Sequence, residues 1–372
     1  MELVLSSIAI GMFFTNFGRR ALKALHLYLV IMFPKRPIHL PNFIQAIKRE
    51  EIVINKNGLI YKPDVYRPLT NRKLPTIIIH CPLATEGKDD KHIVNFMKGM
   101  ARLGYVVVAP YWPARMPGEI HDNDTNELKA TIDYLVRKPY VDKNKISVAG
   151  ISYGIGPTLV TASDPKYKKL IKSIVSIGGY ANFRNVYHFI ISSGEIRQKN
   201  KILKITLDPY GMYVLIRSLS KCVNNENDKR IINKFLEKVL YKRQINTENL
   251  IEELSPASKK IFRSTLNRGK RSASVLPKKF NQIIDNLSVI DLARKLKKPL
   301  LIFHSTSDAI VPYTESVALY QATKDYGSKL FLVDAFEHTI PKKATIRNLI
   351  KLYLPNLMRV VRFIDDVIKT TS

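Results

Sequence analysis

A chain of 372 residues has room for one domain of ~250 residues with additions at an end or in the middle. Its 45% apolar content is ordinary for a protein with a large core, and its two cysteines, Cys81 and Cys222, exclude a disulfide framework and read as free thiols of a reducing compartment. The net charge of +29 favours anionic surroundings, but no nucleic-acid-binding motif accompanies it, so a solvated basic surface or an anionic membrane is expected ahead of DNA or RNA.

Leu3 to Phe17, LVLSSIAIGMFFTNF, is apolar; Gly18-Arg19-Arg20 interrupts, and Ala21 to Phe33 is apolar again. Neither run reaches the ~20 residues that span a bilayer comfortably, and Glu2 with no basic flank argues against a cleaved leader. Membrane contact through residues 3–33, spanning or interfacial, is the first expectation; a helix packed on the main domain and a helix pairing two copies are the others. Were the first run to span, Arg19, Arg20 and Lys23 would keep the main domain in the cytoplasm; the alternative is a soluble cytoplasmic protein. PKRPIHLP, residues 34–41, reads as a linker. Ile52–Asn55 and Leu59–Tyr61 flank an Asn57-Gly58 turn, a hairpin signal, and such strands are expected to open the sheet. Thr76 to His80 is a strand, Ile93 to Leu103 a helix stopped by Gly104, Tyr105 to Ala109 a buried strand, and Asn126 to Arg137 a helix capped by Thr125 or Asn126.

Lys145 to Thr158, KISVAGISYGIGPT, comes next. A buried strand ends in Gly150-Ile151-Ser152-Tyr153-Gly154 and passes into a helix, the setting of a G-x-S-x-G nucleophile elbow. The strained turn projects the Ser152 hydroxyl from the top of the sheet, the glycines let strand and helix approach, and the Tyr153 amide faces a developing oxyanion. Ile171 to Ile177 is the following strand. Strands alternating with helices imply a mostly parallel sheet covered on both faces, with its ligand site at the carboxyl ends of the strands.

Between Tyr180 and Pro299 the alternation stops. Helices are expected at Val186–Ser192, Tyr210–Lys221, Lys229–Tyr241, Asn246–Leu254 and Ile283–Leu296, with an aperiodic stretch at Ser264 to Lys279. Pro299 to His304 is again a strand, with Asp308 just past it; Leu330 to Val333 is the next, followed by Phe336-Glu337-His338-Thr339. Thr345 to Thr370 has a helical apolar face broken by Pro355.

The elbow and the order Ser152, Asp308, His338 resemble the α/β-hydrolase superfamily, most closely its dienelactone-hydrolase-like and prolyl-oligopeptidase-like serine esterases. The resemblance covers residues 50–182 and 287–345. It implies Ser152 as nucleophile, His338 as base and Asp308 as orienting acid. Asp334 is a second-choice acid, His304 a packed strand-end residue, and His80 a structural histidine. One departure stands out. Where the family continues after the His80 strand with glycine, this chain has Cys81-Pro82-Leu83. Proline has no amide hydrogen, so the second oxyanion donor is assigned to Leu83, beside Tyr153. The expected organisation is an apolar extension (1–41), an α/β-hydrolase domain (42–182 and 297–372) and a helical lid (183–296). The expected function is hydrolysis of small-molecule or lipid-derived carboxylic esters through an acyl-enzyme. Thioesterase and peptidase chemistry use the same groups, and Pro82 keeps open a catalytically weak, membrane-associated binding module. No residue cluster has metal spacing, and neither metal nor cofactor nor nucleic acid is implied. Oligomeric state is not legible.

Overall fold

The computed structural model describes residues 15–33, 35, 37, 38, 40, 45–83, 86–121, 123–198, 201–240, 245–266, 276–338, 340–342 and 345–372. The apolar run before Thr15, half of the 34–41 linker and the 267–275 part of the aperiodic stretch fall outside these residues.

The strands are β1 Ile47–Glu51, β2 Ile54–Lys56, β3 Leu59–Tyr61, β4 Asp64–Pro68, β5 Leu74–His80, β6 Val106–Ala109, β7 Val141–Ile151, β8 Ile171–Ile177, β9 Glu195–Gln198, β10 Lys201–Lys204, β11 Leu300–Ser305, β12 Lys329–Val333, β13 Phe336–Glu337 and β14 Ile340–Pro341. Eight of them form the central sheet in the order β1-β4-β6-β5-β7-β8-β11-β12. From β6 to β12 every neighbouring pair is parallel, whereas β4 runs antiparallel to both β1 and β6. The interior strands are nearly continuous apolar runs because they are buried on both faces: every residue of β6 and β11 is buried.

The α-helices of six residues or more are α1 Asn16–Met32, α2 Lys91–Arg102, α3 Asp124–Leu135, α4 Ile155–Ser163, α5 Pro165–Leu170, α6 Phe183–Ile191, α7 Pro209–Ser220, α8 Glu226–Val239, α9 Thr247–Glu253, α10 Pro256–Leu266, α11 Lys278–Leu287, α12 Ile290–Leu296, α13 Thr314–Thr323 and α14 Leu354–Thr371. Two apolar clusters fill the two faces of the sheet. One gathers side chains of α3, α4, α12 and the helices of 183–296; the other gathers those of α1, α2 and α14. The strand order reverses between β5 and β7, since β6 lies outside β5 on one side and β7 on the other. In open α/β sheets a crevice opens at the carboxyl ends of the strands flanking such a switch point. His80 ends β5 and Ile151 ends β7, so Ser152 stands beside that crevice.

Several elements differ from expectation. The Asn57-Gly58 hairpin is present, with positive φ at both residues, but β2 and β3 form a sheet of their own. The central sheet opens instead with β1 and β4, whose sequences IKREE and DVYRP are too charged to read as strands; charge along an outer strand blocks further pairing. Within 183–296 the helices are joined by a hairpin, β9–β10. The helix expected at 283–296 is two helices, α11 and α12, parted where the Val289 and Ile290 amides donate to the Ala181 carbonyl. Pro355 does not split the last helix but sits in the first turn of α14, where no amide is required; a π-helical turn, Leu349–Tyr353, precedes it.

Residues 16–32 form one helix through the Gly18-Arg19-Arg20 interruption. α1 packs on α2 and α14, burying Ala24, Leu27, Tyr28 and Met32. Gly99 of α2 permits the approach, because a Cβ there would come within 2.8 Å of Leu27 Cδ1. Arg20 pairs with Asp365 of α14 at 3.0 Å. Among the described residues no helix is long and apolar enough to cross a membrane.

Candidate active site

The turn after β7 has the geometry that its glycines predict. Ser152 adopts φ +53, a conformation costly for a side-chain-bearing residue and held only by its surroundings. A Cβ on Gly150 would lie 2.5 Å from Ile155 Cα and 2.6 Å from Ile155 N, so only glycine admits α4 this close to the strand. A Cβ on Gly154 would collide with the His80 carbonyl, and β5 therefore also limits the turn.

Beneath the elbow lies a buried polar network that sequence reasoning missed. Tyr153 donates its hydroxyl to Asp124 Oδ2 at 2.8 Å. Asp124 and Glu127, one helical turn apart on α3, both accept from Arg115, and both are buried. Burial, followed by the Asp124 charge, pushes the Tyr153 phenol well above its ordinary pKa, so it remains a donor. Burial opposes the Arg115 charge, but Glu127 and Asp124 more than offset it and raise its pKa. His80 belongs to the same layer. Its ring nitrogens lie 3.3 Å from the Cys81 carbonyl and 3.4 Å from that of Asp124; burial, opposed by the Glu127 charge and reinforced by that of Arg115, lowers its pKa. The paired acids of α3 were the available signal. They escaped because the helix was expected to begin later, at Thr125 or Asn126.

Two strands away, the loops after β11 and β12 bring Asp308 and His338 together. His338 Nδ1 lies 2.6 Å from Asp308 Oδ2. Asp308 Oδ1 accepts from the amides of Ile310 at 2.8 Å and Val311 at 2.9 Å. Burial alone would raise this carboxyl's pKa, but the His338 charge and the hydrogen bonds from His304 and His338 hold it well below the usual carboxylate range. His338 sits at φ +51 between β13 and β14, a short hairpin that presents its ring. Asp334 is elsewhere engaged: Lys342 Nζ lies 2.8 Å from its Oδ1.

His304 does more than pack. Its Nε2 lies 3.0 Å from the Val311 carbonyl and 3.1 Å from Asp308 Oδ2. Both partners only accept, so Nε2 carries the proton and donates to both. Nδ1 then accepts from the Ser316 hydroxyl at 2.6 Å. Asp308 is thus held by two histidines and two amides.

Ser152, Asp308 and His338 follow the carboxyl ends of the parallel strands β7, β11 and β12, with β8 between the first two. Among the described residues Ser152 makes no hydrogen bond to His338; such contacts are commonly loose in the absence of substrate and tighten on binding. Leu83, in the segment that departs from the family pattern, is buried. Its amide donates no hydrogen bond among the described residues, and its carbonyl accepts from Tyr210 Oη of α7. The 183–296 segment touches the acid loop as well, where the Asp208 amide donates to the Ala309 carbonyl at 3.0 Å.

Residues 128–242 match the family described as BAAT/acyl-CoA thioester hydrolase C terminal. No curated protein sequence matches the chain. Among solved structures, ferulic-acid-bound Est1E from Butyrivibrio proteoclasticus is similar at 18% identity over 86% of this chain and 98% of that one, with a TM-score of 0.50. An esterase from Pyrococcus furiosus is similar at 15% identity over 86% of this chain and 91% of that one, with a TM-score of 0.47. Pyrococcus horikoshii acylaminoacyl peptidase is similar at 15% identity over 88% of this chain, with a TM-score of 0.46; this chain spans 42% of that one. The sheet order, the elbow and the likeness to the Butyrivibrio esterase structure show an α/β-hydrolase fold, and the family match covers its 128–242 part.

Proposed function

We propose that the protein is a serine hydrolase that cleaves carboxylic esters through an acyl-enzyme on Ser152. The observation that carries the reading is the 2.6 Å Asp308–His338 hydrogen bond at the same sheet edge as an elbow serine with φ +53. Ser152 Oγ attacks the ester carbonyl while His338 Nε2 takes its proton. Asp308, bonded to Nδ1, fixes the tautomer and stabilises the imidazolium. The Tyr153 and Leu83 amides receive the oxyanion, each worth roughly 3 kcal/mol of barrier. Collapse expels the alcohol, which takes the proton from His338. Water, deprotonated by His338, then attacks the acyl-enzyme; collapse breaks the Ser152 Oγ–acyl bond and releases the acid as His338 returns the proton to Oγ. Pro82 removes one amide without removing the site, because Leu83 retains an amide with no described partner. Residues 183–296 act as the lid, through Tyr210 on the Leu83 carbonyl and Asp208 on Ala309.

A second reading, thioester cleavage by the same groups, is favoured by the family match over 128–242, which spans the elbow. The test is labelling by a fluorophosphonate, followed by kcat/KM on matched alkyl esters, acyl thioesters and acylated peptides. Wild-type protein should label and Ser152→Ala should not. Absence of labelling in folded wild-type protein would leave a binding module in place of an enzyme, and a preference for thioesters would select the second reading.

A further inference from the structure

The hairpin β9–β10 stands apart from both cores. Among the described residues it is a sheet of two strands. All four residues of β10, Lys201, Ile202, Leu203 and Lys204, are exposed, Ile202 at 60% and Leu203 at 40%. Its base is fixed. Ile196 is buried, the Ile205 amide donates to the Gly194 carbonyl at 3.0 Å, and Gly194 turns at φ +87 where a Cβ would strike the Ile205 carbonyl. Residues 195–204 read EIRQKNKILK, basic apart from Glu195, which pairs with Arg197 at 3.6 Å.

Charge on an exposed strand keeps it from pairing with another chain. That accounts for the lysines and leaves two adjacent branched aliphatic side chains in water. An anionic bilayer satisfies both features, since aliphatic side chains enter the boundary between headgroups and acyl chains while flanking lysines meet the lipid phosphates. A nucleic acid would use the cations and leave Ile202 and Leu203 without a role. The net charge of +29 adds long-range attraction to the same surface. Position gives the hairpin a purpose. The chain leaving it reaches Asp208, whose amide bonds the carbonyl of Ala309, the residue after Asp308.

We propose that β10 of this hairpin, Lys201–Lys204, docks the protein on anionic phospholipid bilayers beside the candidate active site. Docking itself does not depend on catalysis; only the corollary that an ester substrate arrives from the bilayer rests on the hydrolase reading.

The experiment is co-sedimentation of the full chain with phosphatidylcholine vesicles, with and without phosphatidylglycerol, for wild type, K201Q/K204Q and I202S/L203S. Circular dichroism checks the fold of each. Binding should require phosphatidylglycerol. The lysine pair should cost on the order of 25-fold in affinity, a factor of about five for each cation, and the aliphatic pair roughly a hundredfold or more. Hydrolysis of a short water-soluble ester should be unchanged in both variants. The Ser152→Ala protein should bind vesicles like wild type, so that an inactive enzyme is not mistaken for failed docking. Unchanged vesicle affinity in both double variants would overturn the proposal, as it would assign any binding to another part of the chain. So would duplex DNA binding that K201Q/K204Q weakens, in protein that ignores the vesicles.

Discussion

Gly150→Ala is the sharpest test of the elbow. The added methyl would lie 2.5 Å from Ile155 Cα, 2.6 Å from Ile155 N and 2.7 Å from the Gly154 carbonyl oxygen. Non-bonded carbons settle at ~3.5 Å, so strand and helix must separate by about 1 Å. All three obstructing atoms are backbone, and no rotamer change relieves them. The strand side cannot yield easily, because Gly150 is registered against His80 on β5 and Ser176 on β8. Overpacking of this kind costs about 1–3 kcal/mol of stability, and moving a nucleophile by 1 Å costs on the order of 100-fold in rate. Gly99→Ala is the matched control. Its methyl meets the Leu27 Cδ1 end of a flexible side chain at 2.8 Å, and α2 gains roughly 1 kcal/mol of helix propensity. Kinetics on a soluble ester together with thermal melts of both variants decide the matter. Gly150→Ala should lose activity and Tm, while Gly99→Ala, which crowds α1 against α2 away from the site, keeps its activity. A Gly150→Ala enzyme with wild-type kcat/KM and Tm would refute the account of why this turn needs glycine.

Asp308→Asn should lower kcat by about 10⁴-fold, as loss of the orienting acid does elsewhere, while Asp334→Asn should leave it within a few-fold; the reverse ranking would move the acid to Asp334. Because the folded Asp308 carboxyl sits below its ordinary pKa, its stabilising contribution is complete above the unfolded value of ~3.9 and is lost as pH falls toward the folded one. Urea midpoints of wild type and Asp308→Asn should therefore converge below about pH 4, and a constant gap would contradict the assignment. His304→Phe leaves Asp308 Oδ2 and the Val311 carbonyl one donor short. It should cost about 1–3 kcal/mol of stability and lower kcat more than it changes KM, with partial rescue by His304→Gln; an unaltered kcat would reduce His304 to a packing residue. Burial pushes the Cys81 thiol up to about 12, so native protein should react with a thiol reagent at Cys222 alone and at both cysteines only in denaturant. Fast native labelling of Cys81 would show the segment before Leu83 to be open.

The candidate triad was legible because its parts are marked by order and by strand ends. Ile146–Ala149 and Leu300–Phe303 are buried strands whatever else they do, and the polar residues that follow them have few places to go. β1 and β4 were illegible for the converse reason. An outer strand such as IKREE is held by backbone pairing with β4 rather than by apolar alternation, and propensity reads it as loop. The second role of His304 had a signal, its four-residue spacing from Asp308, but only the turn through Ser305–Asp308 folds that spacing into contact. α1 illustrates a different limit. Apolar stripes look alike whether they face lipid or protein. What separates the two cases lies far along the chain: Gly99, which admits Leu27, and Asp365, which receives Arg20.

The Pro82 departure and the 183–296 segment are best understood together. A family-like turn would place glycine after His80, with a free amide beyond it. Here Pro82 removes one donor, and the next residue, Leu83, is buried with its carbonyl tied to Tyr210. Burial holds that tyrosine's pKa above the ordinary phenol value, so it stays protonated and keeps donating. It is further braced by stacking on Tyr213 at 5.5 Å between ring centres. A carbonyl fixed from outside constrains the backbone of its own residue, and with it the direction of the Leu83 amide. Conformational restraint that a glycine turn would build in locally is supplied here by a helix more than a hundred residues downstream. The same segment bonds the acid loop at Ala309 and, through Val289 and Ile290, the exit from β8 at Ala181. These attachments lie around the carboxyl edge of the sheet. As the proposed lid, a segment held in this way could not swing as one rigid piece without disturbing the groups on which the proposed chemistry depends. Substrate entry is therefore more economically assigned to local movement between those attachments than to removal of the whole segment.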